Sequence, residues 1–562
     1  MLVTSRSPEP WLGEVRRLPV GGLTPREADE YADYLLAPYP AARPRRAVRA
    51  FGELLEWLDG HPLSMRLILP HLDTTDPSAL LDALRGAAPL PGTDEADDGR
   101  LTSLSASIAY SYAHLSESAR RLLPAVCLFQ GVADEDVLVA FSAVPAVPAS
   151  FAAASREDWR RVLEEAAGVG LLTSLGVGMY QIHPALPAYL AARWRQEEPE
   201  DHDALRDAAT GTLVAAYADF GRWLKRQIES GDAGLAFTVI GLHRRTMGHL
   251  LGHALTRKLW YEARGIIEPL SSYLKARGLV GEADSWTDQV LLATEGADGN
   301  VPQTDTPAGR LWLFVVGEKA DRQRARFRLD EAERTYDQIR VTLEAQLASQ
   351  QVKGDLSVAY HQLGRVAQDG GRLGEAAEWY RKSLVIKEGL GDRQGVSASY
   401  HQLGVVAQLE GQLGQAAEWY RKSLIISEEL GDRSYMATSY HELGRVAQDG
   451  GRLGEAAEWY RKSLAIEKDL GHRRGMARTS GQLGLLAEQQ GEVQLALEWT
   501  VRCVTVFEQF PHPLTSPGPR HLARLTATLG MEVLEETWRQ VTGNPLPDNV
   551  REYVSRTGEG DG

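Results

Sequence analysis

Cysteine is nearly absent from this chain of 562 residues: Cys127 and Cys503 are the only two. Neither belongs to a CxxC pair or a histidine-rich stretch, which excludes a disulfide framework and a cysteine-based zinc site. Both read as small buried apolar residues. Long hydrophobic runs are missing too, since no stretch of 18 apolar residues occurs and MLVTSRSPEP at the start has no charged region followed by an apolar one. Membrane spanning and secretion are therefore not expected, and a cytoplasmic location is. Basic residues are in deficit, 61 Lys and Arg against 76 Asp and Glu, for a formal charge of −15. That balance excludes a surface built to neutralise phosphates over the whole molecule, because nucleic-acid affinity begins with clustered Lys and Arg. No Gly-x4-Gly-Lys-Ser/Thr phosphate loop appears, and no Ser/His/Asp order, Cys/His pair or paired carboxylates can be assigned. No catalytic residue, metal ligand or resident cofactor is expected, and the chain is read as a non-enzyme.

What the sequence has in abundance is repetition. From residue 357 to 504 it repeats every 40 positions: HQLGRVAQDGGRLGEAAEWYRKSL from His361 and HELGRVAQDGGRLGEAAEWYRKSL from His441 differ at one residue of 24. The copy from His401 keeps 19 of the 24, and a worn fourth, GQLGLLAEQQGEVQLALEWTVRCV, closes the array. A period of this length means stacked helical hairpins. In the first unit, helix Ser357 to Gln368 breaks at Gly370-Gly371, and a second helix, Gly374 to Leu390, stops at Gly391. Asp392 is placed to cap the next unit, Gly431-Asp432 repeats the device, and Gly471-His472 keeps only the glycine. Gly364 and Ala376 mark the place where two helices approach closely, with Leu363 and Tyr380 filling around them. Trp379, Trp419 and Trp459 are expected to pack between units.

The fold class is mainly α, in five segments. Residues 1–95 hold a short apolar strand, Met1 to Arg6, then helices Pro25 to Leu36 and Ala47 to Leu58, and after Gly60-His61-Pro62-Leu63 another from Ser64 to Leu72. Residues 96–200 place helices at about 101–112, 116–127, 134–141 and 156–168 before a hairpin at 171–182, a pattern that describes a winged-helix domain. Residues 201–355 stay helical with a degenerate period, 356–510 form the array, and 511–562 a tail.

The spacing L-G-x11-A-x3-Y, met three times in succession, resembles the tetratricopeptide repeat, lengthened from the usual ~34 residues. The resemblance implies that first helices line a concave groove holding a peptide or helix of a partner. Its groove positions fall on Val358, His361, Arg365, Gln368 and Asp369, then on His401, Val405 and Gln408, then on His441, Arg445 and Gln448. Such a ladder of histidines and arginines would favour an acidic segment, the more so as histidines protonate near pH ~6.5. Recent duplication would also copy solvated positions, so near-identity does not by itself show use.

Residues 1–195 resemble the signal-transducing ATPases called STAND, of the NB-ARC type. LVTSR looks like the sensor-one strand, GHPL like the Gly-x-Pro motif, and YQIHPAL stands at the place of the Met-His-Asp motif. The resemblance implies nucleotide-facing roles for Arg6, Pro62 and His183. Pro184 stands where that motif has aspartate, and the sequence starts past the place where a phosphate loop and a magnesium-holding acidic strand would occur. Residues 1–95 are thus read as a remnant of the nucleotide module, with ADP or ATP expected only if a separate chain completes the fold. The leading expectation is a STAND-like regulatory scaffold that binds a protein partner. The alternatives are a nucleotide switch shared with a second chain and a winged-helix transcription regulator. Against the last, helix 156–168 sets Arg156, Arg160 and Arg161 against Glu157, Asp158, Glu164 and Glu165.

Overall fold

The computed structural model describes residues 23–85, 99–231, 233–295, 299–347 and 349–558. The chain divides into two compact units, residues 1–293 and 294–562. The expected strand Met1 to Arg6 lies outside the described residues.

In the first unit, α1 (Pro25–Leu36), α2 (Arg49–Trp57), α3 (Pro62–Ile68) and α4 (Pro77–Arg85) come first. Thr24 starts α1 through a reciprocal cap: its backbone N–H donates to Glu27 at 2.8 Å and its hydroxyl accepts from the Glu27 N–H. Next are α5 (Gly99–Ala113), α6 (Glu117–Leu122), β1 (Val132–Asp134), α7 (Glu135–Ala143), α8 (Arg156–Gly168), β2 (Leu172–Gly176) and β3 (Met179–Ile182). The strands make an antiparallel sheet in the order β1-β3-β2, with Ala133 opposite Tyr180 and Leu172 opposite Ile182. The helices and hairpin expected between residues 99 and 182 are therefore present, and β1 adds a third strand that sequence reading missed. At three residues it is too short to show an alternation.

A set of long helices completes this unit: α9 (Leu186–Glu197), α10 (His202–Ser230), α11 (Ala233–Thr256), α12 (Trp260–Ala276) and α13 (Val280–Thr294). A buried polar network ties the sheet to them. His243, on α11, accepts or donates at 2.9 Å to the Tyr217 hydroxyl of α10, and its Nε2 lies 3.5 Å from Asp134 at the end of β1. Nearby the Gln130 N–H donates to the Thr246 hydroxyl at 2.8 Å.

The second unit is a stack of helical hairpins: α14 (Pro307–Ala325) with α15 (Leu329–Ala345), α16 (Gln350–Asp369) with α17 (Leu373–Leu390), α18 (Arg393–Leu409) with α19 (Leu413–Leu430), α20 (Arg433–Asp449) with α21 (Leu453–Asp469), and α22 (Arg473–Gln489) with α23 (Val493–Val504). Helices α24 (Gly518–Leu529), α25 (Met531–Thr542) and α26 (Asp548–Gly558) follow and bury Leu522, Leu534, Trp538 and Val550 in one core with residues of α23. Helix α16 begins seven residues before the expected Ser357, because Ser349 caps it by accepting from the Val352 N–H.

The turns work as their residues dictate. Gly391 and Gly431 take the left-handed conformation that ends a helix, with φ of 71° and 68°. Asp392 and Asp432 then accept from the N–H groups of Gly395 and Tyr435 at 2.9 and 3.0 Å, whereas His472 makes no such cap. Inside each hairpin a Cβ built on Gly364, Gly404 or Gly444 would come within 2.7 Å of the ring of Tyr380, Tyr420 or Tyr460. Glycine is needed there because a buried tyrosine occupies the space of a side chain.

Candidate partner-binding groove

The first helices α16, α18, α20 and α22 follow one another along one side of the stack. Direct bonds join α18 to α20 and α20 to α22: Gln408 donates to Asp449 at 2.7 Å, Gln448 to Gln489 at 2.9 Å, and His441 Nδ1 lies 3.0 Å from the Thr479 hydroxyl. The face these helices present is the candidate groove, and its residues differ in how free they are.

Gln368, Gln408 and Gln448 accept from the hydroxyls of Tyr380, Tyr420 and Tyr460 at 2.9, 3.2 and 2.8 Å. These three glutamines close a buried tyrosine against water. The histidines overturn an expectation. His441 is buried and His361 and His401 are half-buried, and all three rings pack on the core tyrosines with centroids 5.1, 5.3 and 5.3 Å apart. Burial pushes the imidazole of His361 down to about 3 and that of His401 to about 4, and lowers that of His441 well below its ordinary value. Neighbouring cations add to this: Lys387 and Arg365 beside His361, Arg478 beside the other two. A charged ring would lose its hydration without gaining an acid, so all three stay neutral near pH 6.5.

The arginines keep their freedom better. Arg365 is half-buried, donates to the neutral Gln362 at 3.3 Å and has no ion-pair partner among the described residues. Arg445 is exposed and lies 3.1 Å from Glu442, with Arg478 at 3.8 Å from the same carboxyl. Val358, on α16 two turns before Arg365, is 53% exposed. Asp369 is held by Arg324 at 2.9 Å. At the surface these positions therefore offer Arg365, an Arg445 already paired with Glu442, and the apolar Val358.

Trp379, Trp419 and Trp459 stack on Tyr360, Tyr400 and Tyr440 at 5.6, 5.4 and 5.6 Å, each under a lysine, Lys382, Lys422 or Lys462, at 4.2 to 4.4 Å. Each tyrosine hydroxyl in turn donates to an acid of the preceding second helix, Glu344, Glu388 or Glu428. Each tyrosine thus bonds to the preceding unit while its tryptophan stacks on it within the hairpin, and Trp419 and Trp459 each pack against the cores of two neighbouring units.

Several residues that sequence reading passed over lie where the copies disagree. The position of Gln362 and Gln402 becomes Glu442, whose buried carboxyl is raised by desolvation. The position of Lys387 becomes Ser427 and then Glu467, all three buried. Lys387 has its ammonium lowered by burial and donates to Ser399 at 3.2 Å, and Oε2 of Glu467 finds no hydrogen-bond partner among the described residues. Differences between near-identical copies are the signal in the sequence that marks these positions.

In the first unit, Arg6 lies outside the described residues. Pro62 is the exposed first residue of α3, capped by His61, whose ring nitrogen accepts from the Ser64 N–H. His183 accepts from the Ala185 N–H at 3.2 Å in the turn leading to α9. Both have local structural work. On α8, Arg160 pairs with the buried Glu135 at 2.9 Å, Arg156 with Glu135 at 3.2 Å and also with Asp136, and Arg161 with Asp158 at 2.7 Å. All three arginines of that helix are matched by acids. Cys127 and Cys503 are buried free thiols, pushed up by burial to about 12 and about 11. No described helix is long and apolar enough to cross a membrane.

Residues 355–429, 395–469 and 435–509 each match the family model of the tetratricopeptide repeat, so the three overlapping matches span α16 to α23. No curated protein matches the chain. Similar solved structures include BtubC from P. vanneervenii, 18% identical over 43% of this chain and 93% of that one, with a TM-score of 0.34. Another is a STAND protein with a tetratricopeptide-repeat sensor from Pyrococcus horikoshii, 15% identical over 95% of this chain and 75% of that one, TM-score 0.42. A third is a putative kinesin light chain with nearly identical repeats from Podosopora anserina, 23% identical over 36% of this chain and 97% of that one, TM-score 0.30.

Proposed function

We propose that the chain is a non-catalytic, STAND-like regulatory scaffold whose tetratricopeptide repeats hold an acidic segment of a protein partner. The observation that carries this reading is the division of labour on the first helices. Their repeated glutamines bond to the core tyrosines and their histidines pack on them, while Arg365, Arg445 and Val358 reach the surface. A guanidinium with a neutral or shared partner gains most from an incoming carboxylate, since charge-assisted bonds are roughly twice as strong as neutral ones. On this reading the helices and sheet of residues 96–200 form a winged-helix module used for docking, and residues 1–95 are a nucleotide-module remnant. The matched arginines of α8 support docking to protein in preference to a DNA groove.

The test uses the purified full chain and an array of acidic, neutral and basic peptides. Acidic peptides should bind, weaken with salt, and lose about tenfold or more in affinity on Arg365→Ala with Arg445→Ala. Equal capture of all three peptide classes, or acidic capture that survives both substitutions, refutes the groove. Magnesium-dependent ATP hydrolysis by the chain would refute its non-catalytic character.

A further inference from the structure

The fourth repeat unit departs from the other three in a concerted way. Where they hold His361, His401 and His441 it has Gly481, and where they hold Tyr380, Tyr420 and Tyr460 it has Thr500. Both members of the packed ring pair are thus deleted in the same unit. A cavity of about 300 Å³ opens at that place, lined by Gly481, Thr500, Leu485 and Cys503 and closed by residues 513–518, the segment that leads into α24.

Two charges appear where the rings disappear. Arg474 and Arg478 line the cavity, and their equivalents in the preceding units are Gly354, Gln394 and Ser434, and Val358, Ala398 and Thr438. Both arginines are exposed. Arg478 has Glu442 at 3.8 Å, and Arg474 has no ion-pair partner among the described residues. No aspartate or glutamate is among the described residues that line the cavity. The polar groups of the floor are already engaged: His521 Nδ1 lies 3.2 Å from the Thr500 hydroxyl, and its Nε2 3.1 Å from Glu488. The occupant therefore meets a largely satisfied, mostly apolar floor and two guanidiniums at one side.

From this coincidence of deleted rings and added arginines we infer that the cavity is a binding site for a small carboxylic acid with a flat apolar body. Its carboxylate is held by Arg474 and Arg478, and its body fills the space that an imidazole and a phenol ring occupy in the other units. At ~30 Å³ per water in the liquid, the volume suits a ligand of about ten heavy atoms. A free aromatic acid and the C-terminal residue of a peptide both present this chemistry. Arg365 and Arg445 take no part in this site, and Arg478 links it to the groove through the Glu442 carboxyl that it shares with Arg445.

Calorimetry on the full chain with phenylacetate, phenylacetamide, inorganic phosphate, and a peptide ending in phenylalanine, as free acid and as amide, tests it. Phenylacetate or the free-acid peptide should bind and both amides should not. Binding of the peptide acid alone identifies a chain terminus as the source, and binding of phenylacetate a free acid. Arg474→Gln with Arg478→Gln should weaken the acid about tenfold or more, through loss of charge. Gly481→His should abolish binding by refilling the cavity. A Cβ at Gly481 meets Cys503 Sγ at 3.5 Å, an ordinary contact, so this variant should keep the wild-type circular dichroism. Absence of binding at about 10 mM of every acid, phosphate binding as tight as phenylacetate, or acid binding unchanged by Gly481→His overturns the inference.

Discussion

His441 Nδ1 lies 3.0 Å from the hydroxyl of Thr479 on the next first helix, and the imidazole is 1% exposed. A side chain that would look like a groove cation in an isolated repeat is thus an internal joint between repeats. Its neutrality is part of the packing, and this decides how the array responds to acid.

A histidine whose folded pKa is depressed takes its proton first in the unfolded chain. Its contribution to stability is complete above the unfolded value of about 6.5 and is lost as pH falls from there toward about 4 for His401 and about 3 for His361. Each such ring adds a slope of up to about 1.4 kcal/mol per pH unit inside that window. Thermal melts of the chain should fall between pH 7 and pH 5, and H361N/H401N/H441N should flatten the fall. Identical slopes in both proteins would show that the rings are charged when folded.

Gly404→Ala should destabilise α18 and α19 by about 1–3 kcal/mol, because its Cβ would sit 2.7 Å from the Tyr420 ring. Gly414→Ala, where a Cβ meets nothing within 4 Å, should instead be neutral or stabilising by up to about 1 kcal/mol. Hydrogen exchange of the two helices in each variant gives the comparison.

Glu135 and its arginines should respond asymmetrically. The carboxyl side chain is 6% exposed while Arg156 and Arg160 are about half exposed. Replacing both arginines by alanine strands a buried charge and should cost about 3–5 kcal/mol; Glu135→Gln lets the arginines rehydrate and should cost less. Urea denaturation followed on the first unit would show the reverse order if Glu135 were solvated.

Lys387→Met should leave stability unchanged or raise it by about 1 kcal/mol. The buried ammonium has Ser399 as its hydrogen-bond partner, and that hydroxyl remains satisfied by donating to the Gly395 carbonyl at 3.0 Å. Because burial lowers the lysine, the unfolded chain binds the proton more tightly, and wild-type stability should rise as pH approaches about 10. The methionine variant should lack that rise, and a clear loss of stability at neutral pH would show the lysine to be a required partner.

The sequence by itself determined the repeat period, the two helices of each unit, the left-handed glycines and the aspartate caps. It also marked Gly364 and Tyr380 as a close approach. These depend on backbone sterics and on neighbours within one hairpin, so a single copy carries the information. Only the tertiary structure decided which groove positions are free. The burial of His441 depends on Thr479 of the next unit, and whether Arg156 and Arg160 are available depends on Glu135, more than 20 residues away. The pocket beside Gly481 is of the same kind. Its glycine and arginines were visible in the sequence, but a cavity exists only because residues 513–518 return to cover the place where two rings are missing. Burial is a property of what packs on a residue, and that partner is written elsewhere in the chain.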